Sequence, residues 1–252
     1  MHVISSALTD VGVLRRENQD SYARSDNLGL YLVADGMGGH AAGEVASGAA
    51  VSAIQSRIQE ELDGREPDAS SAEEMERWRR VFEEGVHLAN ESVGRLSREN
   101  SLYAGMGTTV SGVLIRGDKA CIAHVGDSRV YLLRDGEMKA LTSDHSWVNE
   151  QLKRNIITPE EAKTHRLRNV ITRAVGTGAR VEVDTLDVNL RGNDCLLLCS
   201  DGLTSMVDES KIEETLTSAG ENLDEVCRRL VDMANAAGGK DNITVVILRV
   251  LG

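Results

Sequence analysis

The chain has 252 residues, with 40 acidic against 28 basic side chains, a net charge of −12 and only 3% aromatic residues. Such a surface has no basic stripe to follow a phosphate backbone and few rings on which bases could stack, so nucleic-acid binding is disfavoured, as is attraction to anionic membranes. No apolar run approaches the roughly 18 residues of a membrane span, and Met1-His2-Val3-Ile4-Ser5 lacks the charged start of an export signal. Cys121, Cys195, Cys199 and Cys227 form no C-x-x-C pair, so they read as reduced, buried thiols of a cytoplasmic protein.

At about 150 residues per domain the length fits between one and two domains. Residues 1 to 35 read as strands, interrupted by the polar Arg15-Arg16-Glu17-Asn18 and closing on the apolar run Leu30 to Ala34, which stops at Asp35-Gly36. From Ala41 the spacing becomes helical, with Val51, Ile54, Ile58 and Leu62 on one face. A polar loop containing Pro67 ends this helix. Met75, Trp78, Phe82, Ala89, Val93 and Leu96 then predict a second, long amphipathic helix.

After Gly107 come three short β-rich runs, 110–115, 120–125 and 130–133, whose brief connections predict a hairpin meander. The mixed polar stretch 144–180 reads as a surface insertion, with a capping box at Thr158-Pro159-Glu160-Glu161. The run Cys195 to Cys199 ends at Ser200-Asp201-Gly202. A helix from about Asn222 stops at Gly238-Gly239, ahead of a last strand over 243–250. This order predicts sheets flanked by helices; a doubly wound parallel sheet needs more regular alternation.

Gly36-Met37-Gly38-Gly39-His40-Ala41 formally matches a dinucleotide-binding turn, G-x-G-x-x-A. Against it, Asp35 would face the pyrophosphate, and the chain continues into a second helix where the ribose-binding strand belongs. Gly112 to Gly117 has the spacing of a P-loop, but Asp118-Lys119 replaces its Lys-Ser or Lys-Thr. What repeats is aspartate beside small residues at strand ends: Asp35-Gly36, Ser200-Asp201-Gly202 and Asp241-Asn242. Each alone is compatible with ordinary turn chemistry. Together, an all-carboxylate set suits a hard divalent cation, whereas the scattered His and Cys have no zinc spacing.

The ordered segments Gly12-Val13-Leu14-Arg15-Arg16-Glu17-Asn18-Gln19-Asp20, Asp35-Gly36-Met37-Gly38-Gly39-His40, Gly107-Thr108-Thr109, Val125-Gly126-Asp127-Ser128-Arg129, Leu141-Thr142-Ser143-Asp144-His145-Ser146, Ser200-Asp201-Gly202-Leu203 and Gly239-Lys240-Asp241-Asn242-Ile243-Thr244 resemble the metal-dependent protein phosphatases of the type 2C class, in their bacterial form. The resemblance spans nearly the whole chain. It implies a single domain over 1–252 with a flap-like insertion at about 144–180, folded as an α+β, four-layer α/β/β/α sandwich of two antiparallel β-sheets flanked by helices. It implies hydrolysis of phosphoserine and phosphothreonine in proteins by a metal-bridging hydroxide, reversing a bacterial Ser/Thr kinase. The expected partners are phosphorylated proteins, that kinase and its substrates, and the expected state is a monomer.

By the same resemblance Asp20, Asp35, Asp201 and Asp241 form the acidic shell of two Mn²⁺ or Mg²⁺ ions, with the Gly36 carbonyl as a further ligand. Asp127 joins Asp201 at a weaker third ion, the alternative being a hairpin-turn aspartate. Arg15 matches the phosphate-binding arginine, whose forked donors can hold two phosphate oxygens. Two divalent ions would balance four carboxylate charges and lower the pKa of a shared water. Some relatives have a histidine where this chain has Met37. That leaves the proton donor to the leaving alcohol unassigned, with His40 a candidate through water or merely a helix-start residue.

Overall fold

The computed structural model describes residues 1–39, 42–63, 71–218, 220 and 222–251. His40, Ala41 and Pro67, singled out above, lie outside the described residues. In chain order the first elements are β1 (His2–Asp10), β2 (Asp20–Ser25), β3 (Leu30–Met37), α1 (Ala42–Leu62) and α2 (Ala72–Glu99). Then follow β4 (Gly107–Thr108), β5 (Val110–Arg116), β6 (Lys119–Val125), β7 (Arg129–Arg134) and β8 (Glu137–Ala140). The rest are α3 (Trp147–Lys153), α4 (Pro159–Thr164), β9 (Asp184–Asn189), β10 (Cys195–Cys199), α5 (Asp201–Thr204), α6 (Glu209–Thr217), α7 (Leu223–Ala236) and β11 (Ile243–Leu251).

The strands form two antiparallel sheets, one in the order β1-β11-β10-β7-β8 and the other β2-β3-β5-β6-β9, with β4 on β3. Successive residues of a strand face opposite sides, so a continuously apolar strand can be buried on both. That is how the central strands are used. Tyr31, Val33, Leu196, Leu198, Val246 and Leu248 pack between the sheets. Their alternates Leu30 and Leu32 face α1 and α2 with Ile54, Trp78 and Phe82. Leu197, Cys199, Val245 and Ile247 face α6 and α7 with Ile212 and Leu230. The expected four-layer α/β/β/α sandwich of antiparallel sheets is therefore the observed architecture. All four cysteines are buried and free, and no described helix is long and apolar enough to cross a membrane.

One expectation fails. The three runs after Gly107 are not a meander: β5 and β6 pair as a hairpin, but β6 then pairs with β9 while β7 pairs with β8 and β10. Gly126-Asp127-Ser128 thus crosses from one sheet to the other, and Asp127 is not a hairpin-turn residue. Length alone could not separate the two cases, because a three-residue link spans either a hairpin or the step between packed sheets. The stretch 144–180 contains α3 and α4, and the capping box at Thr158 is formed, with Thr158 Oγ1 accepting from Glu161 N and Glu161 Oε2 accepting from Thr158 N.

Two glycines let the strand ends crowd together. A Cβ on Gly36 would lie 2.0 Å from the Gly43 carbonyl oxygen and 2.5 Å from that of Gln19, so only glycine admits the start of α1 beside the end of β3. This close approach, not a pyrophosphate cradle, accounts for Gly36. A Cβ on Gly202 would sit 1.9 Å from the Asn242 carbonyl oxygen, so glycine also lets α5 abut the start of β11. Because the obstacle is backbone, Gly202→Ala is expected to lower stability by about 1–3 kcal/mol, read as a lower urea midpoint at unchanged m-value.

Candidate metal centre

The sandwich brings residues from both ends of the chain to one rim. Asp20 opens β2 and lies in register with Asp35 near the end of β3. Asp201 is the first residue of α5, directly after β10, and Asp241 stands just before β11. Asp127 lies in the link between β6 and β7. Packing the two sheets face to face brings these strand ends together, although the residues are spread over more than 200 positions of sequence.

Their mutual influence is electrostatic and strong. The Asp35 carboxyl titrates well above its ordinary range, first because of burial and then through the charges of Asp20, Asp201, Asp127 and Asp241. Burial also raises Asp20 to about 7, against hydrogen bonds from Thr244 and Ser200 that favour its anion. Asp127 rises to about 7 through burial and the charges of Asp201 and Asp144. Asp201 rises to about 6 through burial and Asp241, opposed by a hydrogen bond from Asp35 and the charge of Arg15.

The oxygens themselves test the fit to a cation. Asp20 Oδ1, Asp127 Oδ1 and Asp201 Oδ1 are buried and have no hydrogen-bond partner. A buried carboxylate oxygen without a donor is costly, and a hard divalent ion, which prefers oxygen ligands, is the group that removes the cost. Among the described residues no three acidic, His or Cys side chains already close around one point. The set is a ring of neighbouring charges, compatible with contacts that pass through water. The Gly36 carbonyl lies on the same rim, where Gly36 pairs with Thr108.

Arg15 reaches this rim from the loop between β1 and β2. Its Nη2 donates to Asp241 Oδ2 at 2.7 Å, so one of its five donors is engaged by a member of the acidic set and the rest of the fork is exposed. That loop is fixed by Asn242, which sequence reasoning did not single out. Asn242 Nδ2 donates to the Val11 and Glu17 carbonyls at 3.0 Å, and its Oδ1 accepts from Gln19 N at 2.8 Å. Met37 ends β3 beside Gly36, so no imidazole stands at that position.

Arg129 and His145 lie in the recognised segments but had no role assigned to them there, and both tie the 144–180 stretch to the rim. Arg129 Nε and Nη2 form a two-pronged pair with Asp144, both at 2.8 Å, and Nη1 reaches Glu209 at 2.9 Å. His145 Nδ1 accepts from Gly126 N at 3.0 Å while its own N–H donates to the Gly126 carbonyl at 2.7 Å, clasping the residue before Asp127. With Nδ1 accepting, Nε2 carries the proton and donates to Asp184 Oδ2 at 3.1 Å. Between this stretch and the rim runs a cleft of about 410 Å³ lined by Asp127, Asp144, Lys163, Arg168 and Asp201. A second opening of about 300 Å³ adjoins Arg15, Arg16 and Gly38.

Comparison with known proteins shows the family and the fold. The sequence pattern of the family described as protein phosphatase 2C matches residues 15–238. The chain is 40% identical over 243 residues to the serine/threonine phosphatase stp of Listeria monocytogenes serotype 4b, covering 95% of this chain and 93% of that protein. The crystal structure of serine/threonine phosphatase Stp1 from Staphylococcus aureus superposes with a TM-score of 0.88 at 34% identity, covering 100% of this chain and 96% of that one. The catalytic domain of the phosphatase PstP in complex with two manganese ions gives a TM-score of 0.84 at 34% identity over 99% of both chains.

Removing one charge from the ring separates its cost from its use. Asp35→Asn is expected to raise the urea midpoint in chelator, because it removes a buried carboxylate that the charges of Asp20, Asp201, Asp127 and Asp241 disfavour. The same change should abolish the stabilisation that Mn²⁺ confers on the unsubstituted chain. A midpoint that falls in chelator would reject the idea that these charges strain the fold.

Proposed function

The chain belongs to the protein phosphatase 2C family and is a protein-serine/threonine phosphatase, and from that premise we propose that the acidic rim is its catalytic centre. The observation that carries this reading is the trio of buried, partnerless carboxylate oxygens on Asp20, Asp127 and Asp201. Asp20, Asp35, Asp201 and Asp241, with the Gly36 carbonyl, would hold two divalent ions. Mn²⁺ is favoured by the two manganese ions in PstP, and Mg²⁺ satisfies the same oxygen set. Asp127, on which Asp201 exerts the largest influence of any charge, would share a third ion with it. Bound there, such ions supply Lewis acidity: they shield phosphate charge and lower the pKa of a coordinated water.

The protein's own groups do the positioning. Arg15 presents its exposed guanidinium edge beside the rim, where two parallel N–H donors match two phosphoryl oxygens. Its ion pair with Asp241 supports this reading by keeping the guanidinium beside the acidic set, and Asn242 holds the supporting loop. Orientation of this kind converts an encounter into a near-attack geometry. The stretch 144–180 acts as a flap over the cleft beside Asp127 and Asp201, where Lys163 and Arg168 face the incoming phosphoprotein. A Ser/Thr kinase and its substrates are the partners this activity implies.

Chelation should abolish hydrolysis of p-nitrophenyl phosphate, and Mn²⁺ should restore it; full turnover in excess EDTA would end the metal-centred reading. Losing the Arg15 fork removes charge-assisted hydrogen bonds worth about 1.5–3 kcal/mol each. Arg15→Ala should therefore raise KM for p-nitrophenyl phosphate about tenfold or more while Mn²⁺ affinity, measured by calorimetry, is not weakened. An unchanged KM would remove Arg15 from phosphate binding.

A further inference from the structure

Asp20 is tied into a closed circuit of hydrogen bonds whose direction can be worked out atom by atom. Its backbone N–H donates to Asn18 Oδ1 at 3.1 Å. That contact fixes the orientation of the Asn18 amide, so the Nδ2 group points the other way and donates to Thr9 Oγ1 at 2.8 Å. Thr9 Oγ1 and Thr244 Oγ1 lie 2.7 Å apart, across a register pair of β1 and β11. Thr244 Oγ1 also lies 2.6 Å from Asp20 Oδ2. A hydroxyl has a single proton and an ionised carboxylate only accepts. Thr244 must therefore give its proton to Asp20, and Thr9 must give its own to Thr244. The relay runs one way: Asn18 to Thr9 to Thr244 to Asp20.

A second donor ends on the same oxygen. Ser200 Oγ donates to Asp20 Oδ2 at 2.8 Å while accepting from Thr244 N at 2.9 Å. Ser200 and Thr244 are fully buried, so water does not compete for either hydroxyl. The outcome is asymmetric. Oδ2 is saturated by two hydroxyls, whereas Oδ1 of the same carboxylate is buried without a partner.

We propose that Thr9, Asn18, Ser200 and Thr244 are positioning residues that lock the Asp20 carboxylate with Oδ1 alone turned to the metal centre. Hydroxyls in series polarise one another, so removing the far hydroxyl weakens the near one. Thr9 acts at a distance: it belongs to none of the recognised segments and acts only through Thr244. The proposal rests on the reading of Asp20 as a metal ligand. Groups that orient a ligand in this way change metal affinity by 10–100-fold when removed.

The test compares Thr9→Val and Thr244→Val, which keep shape and lose the hydroxyl, with Thr9→Ser and Thr244→Ser, which keep it. Mn²⁺ binding is measured by calorimetry without substrate, and the urea midpoint is measured in chelator. Both Val variants should bind Mn²⁺ about 10-fold or more weakly, and both Ser variants within about threefold of the unsubstituted chain. In an Asp20→Asn background the Val substitutions should have no further effect on Mn²⁺ binding. Unchanged affinity in Thr9→Val, or a loss that persists undiminished in the Asp20→Asn background, would overturn the relay. If Asp20→Asn by itself leaves Mn²⁺ affinity intact, the ligand assignment of Asp20 falls, which is a separate result. Should Thr244→Val not fold, Thr9→Val on the edge strand β1 carries the comparison alone.

Discussion

Five aspartates dominate this structure, four of them withdrawn from water and repelled by their neighbours, with the partly exposed Asp241 beside them. Burial and like charge both push the carboxyls of Asp20, Asp35, Asp127 and Asp201 toward their neutral forms. A fold optimised for stability alone would not assemble them. Here they are placed on rigid supports: strand ends, the first turn of α5 and a link clasped by His145. The sandwich supplies the opposing free energy through three apolar layers in which strands such as β3, β10 and β11 bury both faces. Stability and function compete at this rim, as they do wherever a site is built from groups that would rather be apart.

The legible parts of the sequence were those whose chemistry is local. Apolar runs broken by Asp-Gly mark a strand that ends at a carboxylate, and the helical face of Ile54 and Ile58 needed only its spacing. Asp35, Asp201 and Asp241 could each be marked at strand ends, and Asp20 followed only from the resemblance of the ordered segments to one family. The step of the chain between sheets at Gly126-Asp127-Ser128 was not legible. The hydropathy of β6 and β7 is that of a hairpin, and only the partners, β9 and β10, distinguish the two arrangements. The exposed strand β9 and the polar helix α6 escaped notice because neither has a continuous apolar run. Thr9 illustrates a deeper limit. An alternating strand residue has no signature of its own, and its significance appears only once β1 lies beside β11.

The two ends of the chain are joined at the centre, and that joint has a consequence for folding. β1 and β11 pair over nine residues, Arg15 bonds Asp241 across 226 positions, and Asn242 holds the backbone from Val11 to Gln19. Contacts of such separation repay their loop-closure entropy only after most of the sheet has formed. The centre therefore exists in the complete fold and not in any contiguous fragment of it. The 144–180 stretch is different in kind. Its helices have few buried apolar residues, Ala162 being the one buried within α4 and none within α3. Its α3 and α4 portion is held by polar clasps at His145 and Arg129, whereas its end is anchored by Val175, fully buried in the core and paired through its backbone with Thr108. Polar clasps open at lower free energy than a buried core, so α3 and α4 open more readily than Val175, which is packed into the core at the end of the same stretch. With the rim as the proposed catalytic centre, such an arrangement would separate two demands: fixed charge geometry for the chemistry and an adaptable surface for the phosphoprotein.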